Sequence, residues 1–236
     1  MEPEEQMQAE PVVPSVGWGV LHLFCRVTQS ADREAVTSAL KAAAAEEVQV
    51  VTVALLGHKG DIGFMVLGPD LWKLRRFQGQ VTSAGLQIVA SYVSLTEISE
   101  YAAGMPPEKT APRLYPVLPP EGKPAFCFYP MSRRRDVGQN WWSLPFEKRN
   151  ELMFGHGRTG RGFAGRVIQV VTGSSGIDDW EWGVTLFATK PDDLKDVVYT
   201  MRYDEASALY ADFGPFYTGL VAPPDQVWDG LGIQTP

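Results

Sequence analysis

An α+β fold made of two fused ferredoxin-like βαββαβ halves is predicted from three observations. The order of strand and helix signals runs through the chain twice, a proline-rich stretch separates the two runs, and 236 residues suffice for two modules of about 100 residues each. Residues 1–15 show no period and read as a mobile tail. The halves are placed at 16–105 and 125–236, with 106–124 as the connection.

In the first half, Gly17 to Val27 reads as a strand, and Asp32 caps an alanine-rich helix that runs to about Glu47. A strand from Val48 to Leu56 follows. The turn at Gly57-His58-Lys59-Gly60-Asp61 leads into a strand from Ile62 to Leu67. Pro69-Asp70 opens a second helix, and Leu86 to Leu95 is a fourth strand.

The second half repeats this order. Strands are predicted at Ala125–Tyr129, Arg166–Thr172, Trp180–Ala188 and Phe216–Val221, with helices at Glu147–Phe154 and after Pro191-Asp192. Each half would cover one sheet face with helices and leave the other open, so packing the open faces together buries both.

Composition narrows the function. No run of 18 apolar residues occurs, and the N-terminus Met1-Glu2-Pro3-Glu4-Glu5 lacks the basic and apolar regions of a signal peptide, so a cytoplasmic protein without a membrane span is expected. A net charge of −7 argues against nucleic acid as a partner. Cys25 and Cys127 lie in apolar runs without metal or redox spacing and read as buried thiols.

Three histidines are available for chemistry. His58 sits in a glycine turn, and His22 alternates within a strand as a hydrogen-bonded packing residue would. His156 follows Leu152-Met153-Phe154-Gly155 on one helical face, where flanking glycines would let a flat ring approach. Spacing alone favours the alternative, a helix-capping histidine before a glycine terminator. Tyr129 ends a strand beside Arg133-Arg134-Arg135 and reads either as a redox or hydrogen-bonding group or as a core aromatic. An aromatic cavity with Arg113, Arg133 and Arg202 at its mouth would suit a flat apolar ligand that carries carboxylates.

The strings FYPMSRRR, NWW, HGRTGRGFAGRVIQVVTGSSGIDDWEWGVTLFA and VVYTMRYDEASALYADFGPFYTG, in order between Arg113 and Gly219, resemble the second half of coproheme decarboxylases of the chlorite dismutase superfamily. The first half matches in element order alone. The resemblance implies a duplicated α+β barrel with haem in the second half, and a homopentamer. It implies His156 as the proximal iron ligand and Tyr129 as the redox-active residue.

Gln169 falls where one decarboxylase branch has glutamine and chlorite-degrading relatives use an arginine. Arg113, Arg133, Arg202 and Ser207 fall at propionate partners, and Trp141 on the cavity wall. Tyr115 stands where the actinobacterial branch has a distal histidine. The implied reaction is hydrogen peroxide-dependent conversion of coproheme III to haem b, the last step of coproporphyrin-dependent haem biosynthesis, with iron porphyrin as substrate and redox centre in one. A transient contact with ferrochelatase is expected because the substrate is toxic when free. Chlorite dismutation or peroxidase chemistry, and non-catalytic haem carriage, are the alternatives.

Overall fold

The computed structural model describes residues 10–232 except residue 103. In chain order these form β1 (Gly19–Val27), α1 (Arg33–Ala45), β2 (Gln49–Leu55), β3 (Ile62–Gly68), α2 (Leu71–Ser83), β4 (Leu86–Thr96), a 3-10 turn at Glu100–Ala102 and α3 (Pro107–Leu114). There follow β5 (Ala125–Arg133), the two-residue strands β6 (Arg135–Asp136) and β7 (Gln139–Asn140), α4 (Phe146–Arg161), β8 (Val167–Gly173), β9 (Trp182–Ala188), α5 (Pro191–Met201), α6 (Glu205–Tyr210), β10 (Ala211–Phe213), β11 (Tyr217–Val221) and α7 (Pro224–Gly230).

The main sheet is antiparallel and runs β5-β11-β2-β3-β1-β4-β8-β9, after which β9 pairs again with β5, so the hydrogen-bonded ladder returns to its start. Strand alternation sorts side chains to two faces. From β1, Leu21, Leu23 and Cys25 pack under α1 and α2 with Val36, Leu74 and Phe77. Val20 and Phe24 point the other way, into a second core with Met65, Phe126, Phe128 and Phe187. A third core lies between β5, β9 and α5, where Leu194 and Val197 meet Cys127, Tyr129 and Leu186.

Several expectations are revised. Residues 1–9 of the expected tail lie outside the described residues, but Val12 is tied down, since its N–H donates to Asp70 Oδ1 (3.1 Å) and its carbonyl accepts from Leu71 N (2.9 Å). The connection at 106–124 contains α3, started by Pro107 at a first-turn position where no N–H is needed. Helices α6 and α7 add to the simple repeated order. Helix α4 does not stop at Phe154. It carries His156 in its interior and runs on through Gly155, Gly157 and Gly160 to Arg161, with Gly165 (φ +80°) beyond it in the left-handed region. Asp32 caps α1 as expected, accepting from Ala35 N at 3.0 Å.

His22 is wholly buried in the second core, stacked on Phe128 with its Nε2 2.9 Å from Thr185 Oγ1, while its Nδ1 has no partner. Desolvation pulls its pKa from 6.5 down to about 3, so the folded protein keeps it neutral while the unfolded chain takes up a proton. Its contribution to stability is fully present above pH 6.5 and is lost as the pH falls from there toward about 3. The limiting slope is ~1.4 kcal/mol per pH unit. Urea unfolding midpoints of the wild-type chain should fall with acidification through this window, and the double variant H22L/T185V, which removes both hydrogen-bonding partners, should fall less.

Candidate active site

Strand pairing puts one sheet face at the centre of the site. Tyr129, Val184 and Val171 form a row across β5, β9 and β8, and Cys127, Leu186 and Gln169 form the next. Directly paired residues point to the same side. Helix α5 covers this face over β5 and β9, but Gln169 and Val171 on β8 stay exposed, Val171 by 40%. A strand surface of mixed polarity is thus left open beside a covered one.

Helix α4 has the matching property. Glu147 lies in its first turn and Arg158 and Arg161 in its last, which suits the helix dipole, yet Leu152 is its one buried residue. A Cβ added at Gly155 or Gly160 would meet nothing within 4 Å. The helix presents His156, whose Nδ1 lies 2.7 Å from Asp204 Oδ2. An ionised carboxylate can only accept, so Nδ1 donates, and the neutral ring carries its free lone pair on Nε2. No bond to Nε2 forms among the described residues.

Asp204 is the hub of this corner. Its side chain is 7% exposed, caps α6, and accepts from both Ser207 N (3.2 Å) and Ser207 Oγ (3.3 Å). Burial alone would raise its pKa, but the bonds from His156 and Ser207 outweigh that and hold it below the usual carboxylate range.

Next to it, Arg133 is 8% exposed, and its guanidinium lies 4.2 Å over the buried Trp141 ring. Nη1 donates to the Ala206 carbonyl (2.7 Å) and Nη2 to Met153 Sδ (3.0 Å). The nearby Glu181 is committed elsewhere, accepting from the Arg133 backbone N–H (2.7 Å) and from Arg135 (2.6 Å). Arg133 therefore forms no ion pair among the described residues, and burial pulls its pKa down. A buried cation that Asp204 and Glu181 offset only at a distance, with no direct ion pair, attracts a further anion.

Tyr129 is 7% exposed, with its ring between Phe216 (4.5 Å, stacked) and Phe213 (5.6 Å, edge-on). Burial pushes its phenol well above the ordinary tyrosine value. The structure thus joins His156, Arg133, Trp141 and Ser207 through Asp204, Ala206 and Met153, and puts Tyr129 and Gln169 on one sheet face. Arg113 on α3 and Arg202 after α5 are exposed. Tyr115 turns elsewhere: its hydroxyl accepts from Gly17 N (3.3 Å) and its ring meets Trp18 edge-on. Sequence reasoning missed Asp204 and Met153. The Asp204-x-x-Ser207 spacing is a helix-cap signature that could have pointed to Asp204.

Residues 29–222 match the chlorite dismutase family. The chain belongs to the chlorite dismutase family. It is 43% identical over 185 residues to a coproheme decarboxylase of Staphylococcus saprophyticus, a match that covers 74% of each protein. It is 38% identical to a candidate haem-binding protein of Natronomonas pharaonis, covering 93% of this chain and 42% of that longer relative. Among solved structures, a haem-binding protein from Thermus thermophilus superposes with a TM-score of 0.82 at 35% identity, covering 96% of this chain and all of that one. Among the described residues, no helix is long and apolar enough to cross a membrane.

In this chlorite dismutase family member, Asp204 serves both as helix cap and as partner of His156. Asp204→Ala should destabilise the fold by about 1–2 kcal/mol, whereas Asp204→Asn, which still caps, should cost only a few tenths. Guanidinium unfolding of the two variants checks this.

Proposed function

We propose that this protein is a coproheme decarboxylase that converts coproheme III to haem b with hydrogen peroxide. The observation that carries the reading is the pairing of His156, whose Nδ1 is held by a buried carboxylate so that Nε2 makes no bond among the described residues, with a buried Arg133 that forms no ion pair among them. An iron porphyrin has both complements: a metal that takes neutral imidazole and peripheral carboxylates that take a guanidinium. The identity with the staphylococcal decarboxylase supports the same substrate.

When bound, the iron porphyrin would supply the redox chemistry with peroxide, and the chain would supply orientation, water exclusion and a phenol that lends and regains one hydrogen atom. His156 binds the metal through Nε2, and Asp204 keeps the ring turned. Arg133 holds a carboxylate that does not react. Arg113, Arg202 and Ser207 are the further propionate partners, Trp141 closes the wall, and Gln169 stands on the distal side. Holding the reacting side chain near its partner can remove several kcal/mol of barrier.

Tyr129 would pass one electron and its phenolic proton toward the peroxide and recover a hydrogen atom from the propionate β-carbon. As carbon dioxide leaves, the second electron would follow to the same oxidant, so each vinyl group formed consumes one hydrogen peroxide and one proton and releases two waters. The raised pKa of Tyr129 keeps the phenolic hydrogen in place, and Phe213 and Phe216 fix the ring.

The same reading treats the chain as two βαββαβ halves closed into an α+β barrel, with the porphyrin in the half after residue 124. It also takes the assembly to be a homopentamer in the cytoplasm that meets ferrochelatase transiently.

Coproheme titration followed by stepwise peroxide and porphyrin mass analysis tests the reading. Loss of two carboxyl groups is expected, while a bound but unchanged porphyrin would leave a haem carrier. His156→Ala should lose the Soret shift on binding. Tyr129→Phe should bind coproheme and yield no haem b, and normal turnover in that variant would remove Tyr129 from the mechanism.

A further inference from the structure

We propose that Tyr101 is an auxiliary electron donor to the porphyrin site, connected through Trp141, that drains oxidising equivalents when peroxide is consumed without productive turnover. The proposal rests on the haem reading above. Trp141 is 1% exposed and packs with Leu152 and Met153, one helical turn before His156. Its ring centroid lies 6.4 Å from that of Tyr101 and 5.5 Å from that of Tyr210, close enough for an electron to pass between rings.

Three features single out Tyr101 as the end of this path. Its hydroxyl accepts from Arg149 Nε (3.1 Å), and the same guanidinium pairs with Glu100 (3.4 Å), which puts beside the phenol a carboxylate that can take its proton. Tyr210 has no such hydrogen bond among the described residues. The Arg133 guanidinium over Trp141 favours the neutral indole over its oxidised form, so the electron deficit does not rest there. Glu100 is 47% exposed on its side chain, and Phe146, stacked on Tyr101 at 5.9 Å, is 45% exposed, so the donor lies where a soluble reductant can reach it.

Each pass is balanced. One electron leaves Trp141 for the peroxide-treated porphyrin, Tyr101 refills Trp141, and the phenolic proton moves to Glu100, leaving a neutral tyrosyl. A one-electron reductant of the thiol or ascorbate class restores the phenol. Reducing one peroxide to two waters takes two electrons, and so two passes.

The test uses haem-loaded protein in a Tyr129→Phe background, which removes the proposed catalytic radical, with peroxide added and samples freeze-quenched for electron paramagnetic resonance. A tyrosyl signal is expected that narrows on ring deuteration of tyrosine, is lost in Tyr129→Phe/Tyr101→Phe and weakens in Tyr129→Phe/Glu100→Gln. Peptide mapping should find oxidised Tyr101. In the otherwise wild-type chain, Tyr101→Phe keeps the stacking and should bleach its haem faster. An unchanged tyrosyl signal without Tyr101, or an unoxidised Tyr101 peptide, overturns the relay alone; failure to take up any porphyrin overturns both readings.

Discussion

Strand β5 is the constraint on which the rest depends. It pairs along its length with β9, along its first half with β11 and along its end with β10, so it closes the ladder and anchors the C-terminal strands at once. The alternation of one strand then assigns its side chains: Phe126 and Phe128 to the inner core, Cys127 and Tyr129 to the face under α5. Arg133 follows at the strand's end, where the helical corner begins. A register slip of one residue would send Tyr129 inward and place a phenylalanine beneath α5.

The second organising element is electrostatic. Asp204 fixes His156, caps α6 and through its charge offsets part of the burial penalty on the neighbouring Arg133, so one buried carboxylate ties together an imidazole, a helix start and a cation. Because its own desolvation opposes ionisation, its charge persists only while those hydrogen bonds do. Geometry and protonation at this corner therefore stand or fall together.

Most strands and the caps Asp32 and Asp70 were legible because they follow from local chemistry: period-two alternation and side chains that satisfy free helix N–H groups. The extent of α4 was not legible, because three glycines read as a terminator when nothing in the sequence shows what covers them. His156 and Tyr129 could be named from the strings around them, and Arg133 from its charge. Asp204 could not be tied to His156, since 48 residues separate them and only the packing of α6 against α4 brings them to 2.7 Å. The turning of Tyr115 toward Gly17 is equally a matter of tertiary contact.

The glycines of α4 have a consequence for how firmly the helix is held. Each interior glycine costs a helix about 1 kcal/mol relative to alanine, and a helix with one buried residue gains little from packing to offset it. Helix α4 is thus weakly held by its own contacts, and it carries the proposed iron ligand. A ligand that bound the folded chain against this helix would add the contacts it lacks, so occupancy of the site and persistence of the helix would rise together.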